Sequence, residues 1–217
     1  MNLKKLFTQL SLTFIALVFF AGFFNVVRAQ ESIKSFDVSI KVSKEGVVSF
    51  QEKIIYDFGP GLRHGIFRDI PVKYSRNGGS YNLRLNNISV TDQNGQPYEF
   101  SVSTSGGKKH IKIGDPEVTV TGEQVYVINY ETNKAINFLD ERDELYWNVT
   151  GNEWQVPILK TSATFVLSND TNADSVEKFC FSGVLGSQNH CDEVLIEPGG
   201  SMGGQIKFSH GLLSAGE

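Results

Sequence analysis

From residue 31 onward this chain never sustains the 3.6-residue periodicity of a long amphipathic helix. Short runs alternate apolar with polar side chains instead, and turn residues cut them at close intervals. Phe36, Val38, Ile40 and Val42 alternate with Asp37, Ser39 and Lys41, and Glu45-Gly46 turns the chain into Val48, Phe50, Ile54, Tyr56 and Phe58. That pattern predicts a hairpin. Glu52 interrupts the apolar face of its second strand, as a strand-end residue or as a carboxylate aimed inward. Phe58-Gly59-Pro60-Gly61 then ends the pair.

The same punctuation continues to the end. Arg76-Asn77-Gly78-Gly79-Ser80 is a turn, alternation slips at Asn86-Asn87 as a bulge would make it, and Lys109 to Ile113 reads as a strand. Val125-Tyr126-Val127-Ile128-Asn129-Tyr130 is apolar on both faces, the mark of a central strand covered on each side. Ala135 to Arg142 has room for a helical turn or two. Leu145, Trp147 and Val149 alternate again, and further strands are expected at Ala163 to Leu167, Val176 to Phe181, Val194 to Ile196 and Gln205 to Phe208. Pro157 and Pro198 suit edges or strand starts. About ten or more short, mostly antiparallel strands predict an all-β, β-sandwich-like domain.

Ahead of this domain, Met1 to Ala29 has the three parts of a secretory signal peptide: Lys4 and Lys5, an apolar run from Leu10 to Phe24, and Val27-Arg28-Ala29 at the cut. At roughly 15 residues the run is short beside the ~20 that span a bilayer, which favours a cleaved leader over an uncleaved anchor. The expected organisation is a leader over 1–29, an exported domain over 30–210, and a tail or truncation point over 211–217. Without the leader, 17 basic residues face 24 acidic ones and the net charge is −7. That sign argues against nucleic acid as a partner. Cys180 and Cys191, with ten residues between them that include Gly183, Gly186 and Ser187, suggest a disulfide across the base of a loop in an oxidising compartment.

The inventory for catalysis is thin. His64, His110, His190 and His210 stand far apart and form no ligand pair, and no phosphate-cradling loop precedes a Lys and Ser/Thr. No cofactor or metal is expected. Asp140, Glu141, Asp143 and Glu144 are the best chemical candidates, since paired carboxylates cleave glycosidic bonds or hold calcium. Charges crowded beside a turn are more often hydrated or paired. Trp147 and Trp154 offer a sugar-stacking platform or, more commonly, core packing. Asn87, Asn148 and Asn169 stand in Asn-x-Ser/Thr triplets, which matter only in a eukaryotic secretory path.

Two segments are more distinctive than the rest. His64-Gly65-Ile66-Phe67-Arg68-Asp69-Ile70-Pro71 holds an arginine between apolar residues, and such a guanidinium must reach a surface or find an anion. About seventy residues on comes Asp143-Glu144-Leu145-Tyr146-Trp147-Asn148-Val149-Thr150-Gly151, followed by Trp154. Asp143 and Glu144 are the expected partners of Arg68, with Glu52 a further candidate. His64 is expected to meet a backbone carbonyl. Together the segments read His-Gly-Ile-x-Arg-x-Ile-Pro and Glu-Leu-Tyr-Trp-Asn-x-x-Gly-x-x-Trp. They resemble the bacterial predicted membrane protein family with an N-terminal extracellular domain of unknown function 2207. The resemblance implies an extracytoplasmic β-rich domain ahead of transmembrane helices, attached to the membrane by a downstream segment, and it implies no activity. The carried-over motif residues are His64, Gly65, Arg68, Asp69, Pro71, Glu144, Trp147, Asn148, Gly151 and Trp154, as framework or contact surface.

The expected function is a non-catalytic domain that binds or senses an envelope component or a protein partner. The alternatives are an envelope glycoside-type hydrolase using Asp140 to Glu144, and a structural spacer.

Overall fold

The computed structural model describes residues 30–76, 79–167, 173–197 and 204–217. The leader Met1–Ala29, the Asn77-Gly78 turn, Asn169 and Pro198 lie outside the described residues. Ser32–Val42 (β1) and Val48–Asp57 (β2) form the expected hairpin, paired from Ser32 against Asp57 to Val42 against Val48. Gly46 supplies the positive φ, 78°, that its turn requires. Next come Ile66–Pro71 (β3), the small hairpin of Lys73–Arg76 (β4) and Gly79–Asn82 (β5), and Asn86–Thr91 (β6). Phe100–Ser105 (β7) and Lys108–Ile113 (β8) form a further hairpin ahead of Glu123–Thr132 (β9). Ile136–Phe138 (β10) pairs with Asp143–Leu145 (β11), and Thr161–Val166 (β12) follows. Phe181–Ser182 (β13), Asn189–His190 (β14), Glu193–Glu197 (β15) and Gln205–His210 (β16) complete the order.

Seven of these strands make one sheet in the order β15-β16-β12-β1-β2-β9-β6, antiparallel except where β12 lies parallel to β1. A three-stranded sheet, β3-β8-β7, packs against it. Strand parity dictates what meets between them. Phe36, Val38 and Ile40 of β1, Phe50 and Ile54 of β2, and Tyr126, Ile128 and Tyr130 of β9 share one core with Ile66, Ile70, Ile111 and Ile113 of the smaller sheet. The result is the expected all-β sandwich-like packing. A smaller cluster around Ala173, Ile206 and Phe208 receives Phe165, Leu167, Val176 and Cys180.

Several elements differ from their sequence expectation. Strand β9 lies between β2 and β6 as an internal strand should, yet Val125 and Val127 are only half-buried because the outer face of the sheet is partly open. Ala135 to Arg142 forms strand β10 and a turn rather than helix, and β11 stops at Leu145. Trp147 and Val149 lie in an irregular segment, since turn bonds displace the ladder there. Val176 to Phe181 is almost wholly irregular, with a 3-10 turn at Ala173–Ser175 before it. The bulge does occur at Asn86-Asn87, with Asn87 at φ 54° and a shift of register before Ser89. Leu213 is buried and exchanges both backbone hydrogen bonds with Ile158, at 2.8 and 2.9 Å, so the segment after β16 is tied to the sandwich. Cys180 and Cys191 are disulfide-bonded with their Cα atoms 5.5 Å apart.

Candidate functional site: an arginine clamp and a cationic cleft

Arg68 stands on the inward row of β3, between Ile66 and Ile70, and is 1% exposed. Glu52 occupies the inward row of β2, in register with Val38 and Ile128, and is fully buried. The two sheets therefore bring a guanidinium and a carboxylate face to face. Arg68 Nε donates to Glu52 Oε2 at 2.7 Å and Nη2 to Oε1 at 2.8 Å, a two-pronged match of planar groups. The remaining three N–H groups donate to the carbonyls of Asp69 (3.0 Å), Thr150 (2.8 Å) and Val149 (3.1 Å). All five donors are used. Tyr130 donates its hydroxyl to Glu52 Oε1 at 2.6 Å, and the Phe36 ring lies 5.2 Å from the guanidinium carbon.

Asn148, Gly151 and Trp154 of the second motif shape the loop that offers those carbonyls. Asn148 accepts the Gly151 N–H at 3.0 Å and donates to Asn152 at 2.7 Å, folding residues 148–152 into a turn. Gly151 has φ 76°, and a Cβ there would lie 2.6 Å from Arg68 Nη1, so both the turn and the close approach require glycine. Trp154 donates its indole N–H to the Thr150 carbonyl at 2.9 Å and meets Phe36 edge-on at 5.9 Å. Trp147 stacks on Phe50 at 4.2 Å. Neither tryptophan forms an open platform.

In the first motif, His64 Nδ1 meets the Val118 carbonyl at 3.0 Å, as expected. Gly65, at φ 135°, lies against the backbone of Ile113 and Gly114. Pro71 ends β3, and its carbonyl accepts the Tyr74 hydroxyl at 3.3 Å. Asp143 and Glu144 do not partner Arg68. Asp143 is exposed, while Glu144 is half-buried in β11 and accepts from Asn137 at 3.5 Å. The reason is parity: inward-facing Glu52 on the opposite sheet is already within reach. Asp140 and Glu141 are exposed as well, and Arg142 pairs with Glu177 at 3.2 Å on the surface.

Burial works to lower the Arg68 pKa, but the adjacent Glu52 carboxylate, helped by Tyr130 and Asp69, more than offsets this and holds it above its usual value. Burial first, then the Glu52 charge, pushes the Tyr130 hydroxyl well above the ordinary tyrosine range. Burial likewise raises Tyr56 and Tyr126, and Tyr74 is pushed up to about 12. The folded state thus keeps these protons where the unfolded chain, with tyrosines near 10, releases them. The resulting stability is complete below about pH 10 and drains away as the pH rises toward the raised folded values. A thermal midpoint flat from about pH 8 to 9.5 and falling above about pH 10 is expected, with a shallower fall in Tyr130→Phe. A midpoint held constant to pH 12 would contradict it.

On the outer face of the small sheet, strand register sets Asp69 opposite His110. His110 Nδ1 lies 2.7 Å from Asp69 Oδ1, and Nε2 lies 2.9 Å from Ser105 Oγ. The spacing has the outline of a nucleophilic triad, but Nε2 also faces the Ser105 carbonyl oxygen at 3.2 Å. This arrangement ties the β7–β8 turn to β3. Among the described residues no group of three His, Cys, Asp or Glu side chains is placed to hold a metal, and no helix is long and apolar enough to cross a membrane.

An open cleft of about 560 Å³ lies between the β4–β6 segment and the β7–β8 hairpin. Val72, Leu83 and Leu85 are its apolar residues, while Lys73, Arg84 and Lys109 line it with no acidic residue beside them. Sequence reading does not find this site, because its three cations belong to separate runs and only the fold assembles them.

The model of the predicted membrane protein (DUF2207) N-terminal domain matches residues 32–191. The chain belongs to the DUF2207 family. Both motifs lie inside the matched span. Uncharacterized protein YciQ of Escherichia coli strain K12 is 27% identical over 175 residues, which make up 80% of this chain and 28% of YciQ. The chain thus spans a little over a quarter of that relative. Among solved structures, an M1 zinc metallopeptidase from Deinococcus radiodurans aligns with 82% of this chain and 38% of its own at 9% identity and a TM-score of 0.46. Native yeast LTA4 hydrolase aligns with 86% of this chain and 30% of its own, at 10% and 0.46. At those values the likeness says nothing of zinc or peptide chemistry in this DUF2207 domain.

Proposed function

We propose that the chain is the non-catalytic, extracytoplasmic binding or sensing domain of a longer membrane protein, with the cationic cleft as its ligand site. The observation that carries this reading is how the polar groups are used. Arg68 and Glu52 are satisfied inside the sandwich, so the motifs serve as framework. Lys73, Arg84 and Lys109 make no ion pair with any described residue and converge on one cleft. Cations gathered over an apolar floor suit a single anionic group on an envelope component, such as a phosphate diester. The overall negative charge disfavours a long polyanion but leaves this local field intact.

Titrating residues 30–217 with a short glycerol-phosphate oligomer tests the reading. Heat of binding is expected, weakened at least about tenfold by the pair Lys73→Glu and Arg84→Glu without loss of the thermal midpoint. Equal binding by that variant, or no binding by the unaltered domain, would remove the cleft as the ligand site.

A further inference from the structure

We propose that the loop closed by the Cys180–Cys191 disulfide is a membrane-docking element that lays an uncharged apolar tip into the interface of a lipid bilayer. The base of the loop is anchored: Cys180 packs on the small core of Ala173, Ile206 and Phe208. Beyond the base, β13 and β14 pair for two residues, Phe181 opposite His190 and Ser182 opposite Asn189. The tip is then a tight turn, closed by the Ser187 N–H donating to the Val184 carbonyl at 2.9 Å, with Gly183 and Gly186 at positive φ on either side.

A loop built this way does not fold its apolar residues back onto the core. Leu185 is 84% exposed and Val184 61%, and Phe179 and Phe181 near the base are 66% and 53% exposed. Single exposed apolar residues are ordinary, but four large ones within seven positions, held outward by a disulfide and a turn, are not. Between the two cysteines there is no Asp, Glu, Lys or Arg, although one residue in five of the whole chain is charged. Burial of this tip in lipid would therefore strip water from no permanently charged side chain. The family described as predicted membrane proteins places a bilayer in the same molecule as this domain, and the loop lies within the matched span.

The chemistry separates this docking from electrostatic attachment. The domain from Gln30 is net negative, so binding is expected on zwitterionic phosphatidylcholine vesicles, with no requirement for anionic lipid and no weakening in about 0.5 M salt. The experiment is vesicle flotation of residues 30–217. That segment contains every described strand and both apolar clusters and lacks the Leu10–Phe24 run, which would partition by itself. The pair Val184→Asp and Leu185→Asp is expected to weaken partitioning at least about tenfold while leaving the thermal midpoint in place.

Three results would overturn the proposal. One is a wild-type domain that stays in the aqueous fraction. Another is a double-aspartate variant that floats as well as the wild type. The last is sedimentation showing that the tip mediates self-association instead, abolished by the same variant in the absence of vesicles. None of these outcomes touches the cleft, which uses other residues, so the proposed ligand site and this docking loop fail or stand separately.

Discussion

Replacing Arg68 with alanine is expected to destabilise the domain by about 3–5 kcal/mol and to lower its thermal midpoint on the order of 10 °C, at roughly 2–4 °C per kcal/mol for a chain of this size. The size of the effect follows from what the substitution strands. Glu52 would remain fully buried with one hydroxyl donor, from Tyr130, and the carbonyls of Asp69, Val149 and Thr150 would lose the guanidinium. A buried carboxylate without a counter-charge is among the costliest single defects a core can carry. Lysine would not rescue it, because a single ammonium with three donors cannot match two carboxylate oxygens and three separated carbonyls. Thermal unfolding followed by circular dichroism reads the result. A midpoint within a degree or two of the wild type would mean that Arg68 is not buried in solution.

Gly65→Ala is expected to be at least as damaging, at about 4 kcal/mol or more, and to reduce the yield of folded protein. A Cβ at Gly65 would lie 1.9 Å from the Ile113 carbonyl oxygen, and one at the facing Gly114 would lie 1.8 Å from the His64 carbonyl oxygen. Both obstacles are backbone, so no side-chain rotation relieves them. The φ of 135° at Gly65 is itself hostile to a side chain. β3 would have to separate from β8 at the end that sets the register of Arg68. Gly106→Ala is the matched control: its φ is 57° with nothing within 4 Å, so only the local conformational cost of about 1–2 kcal/mol is expected. Equal losses at the two positions would contradict the close-approach explanation.

Much of this architecture is legible in the chain because the period-2 signal is local. The β1–β2 hairpin, its Gly46 turn and the slip at Asn87 all follow from residues within a few positions of one another. Glu52 is legible in the same way, since its parity with Phe50 and Ile54 sends it inward. What parity cannot reveal is which strand faces which across the sandwich. That is why the sequence points to Asp143 and Glu144 ahead of Glu52 as partners of Arg68, whereas the fold pairs it with Glu52. The segment from Leu145 to Thr150 alternates like a strand, but Asn148 and Gly151 bend it into a loop whose carbonyls serve Arg68. Its residues are those a turn needs, and a pattern count weighs them less than the apolar residues between them. The cleft was invisible for a different reason. Lys73, Arg84 and Lys109 sit on three separate elements, and no short-range signal joins them.

The account rests on Arg68 and Glu52 acting as one unit that fastens the small sheet and the Val149–Gly151 loop to the large sheet. A double-mutant cycle between Arg68→Met and Glu52→Leu, measured by chemical unfolding of residues 30–217, tests this most directly. Each single change should cost several kcal/mol by leaving an unpaired buried charge. The double change, which removes both charges, should be less destabilising than their sum by at least about 2 kcal/mol. Losses that simply add, within about 0.5 kcal/mol, would contradict the clamp and mean that the two motifs are held together by something other than this pair.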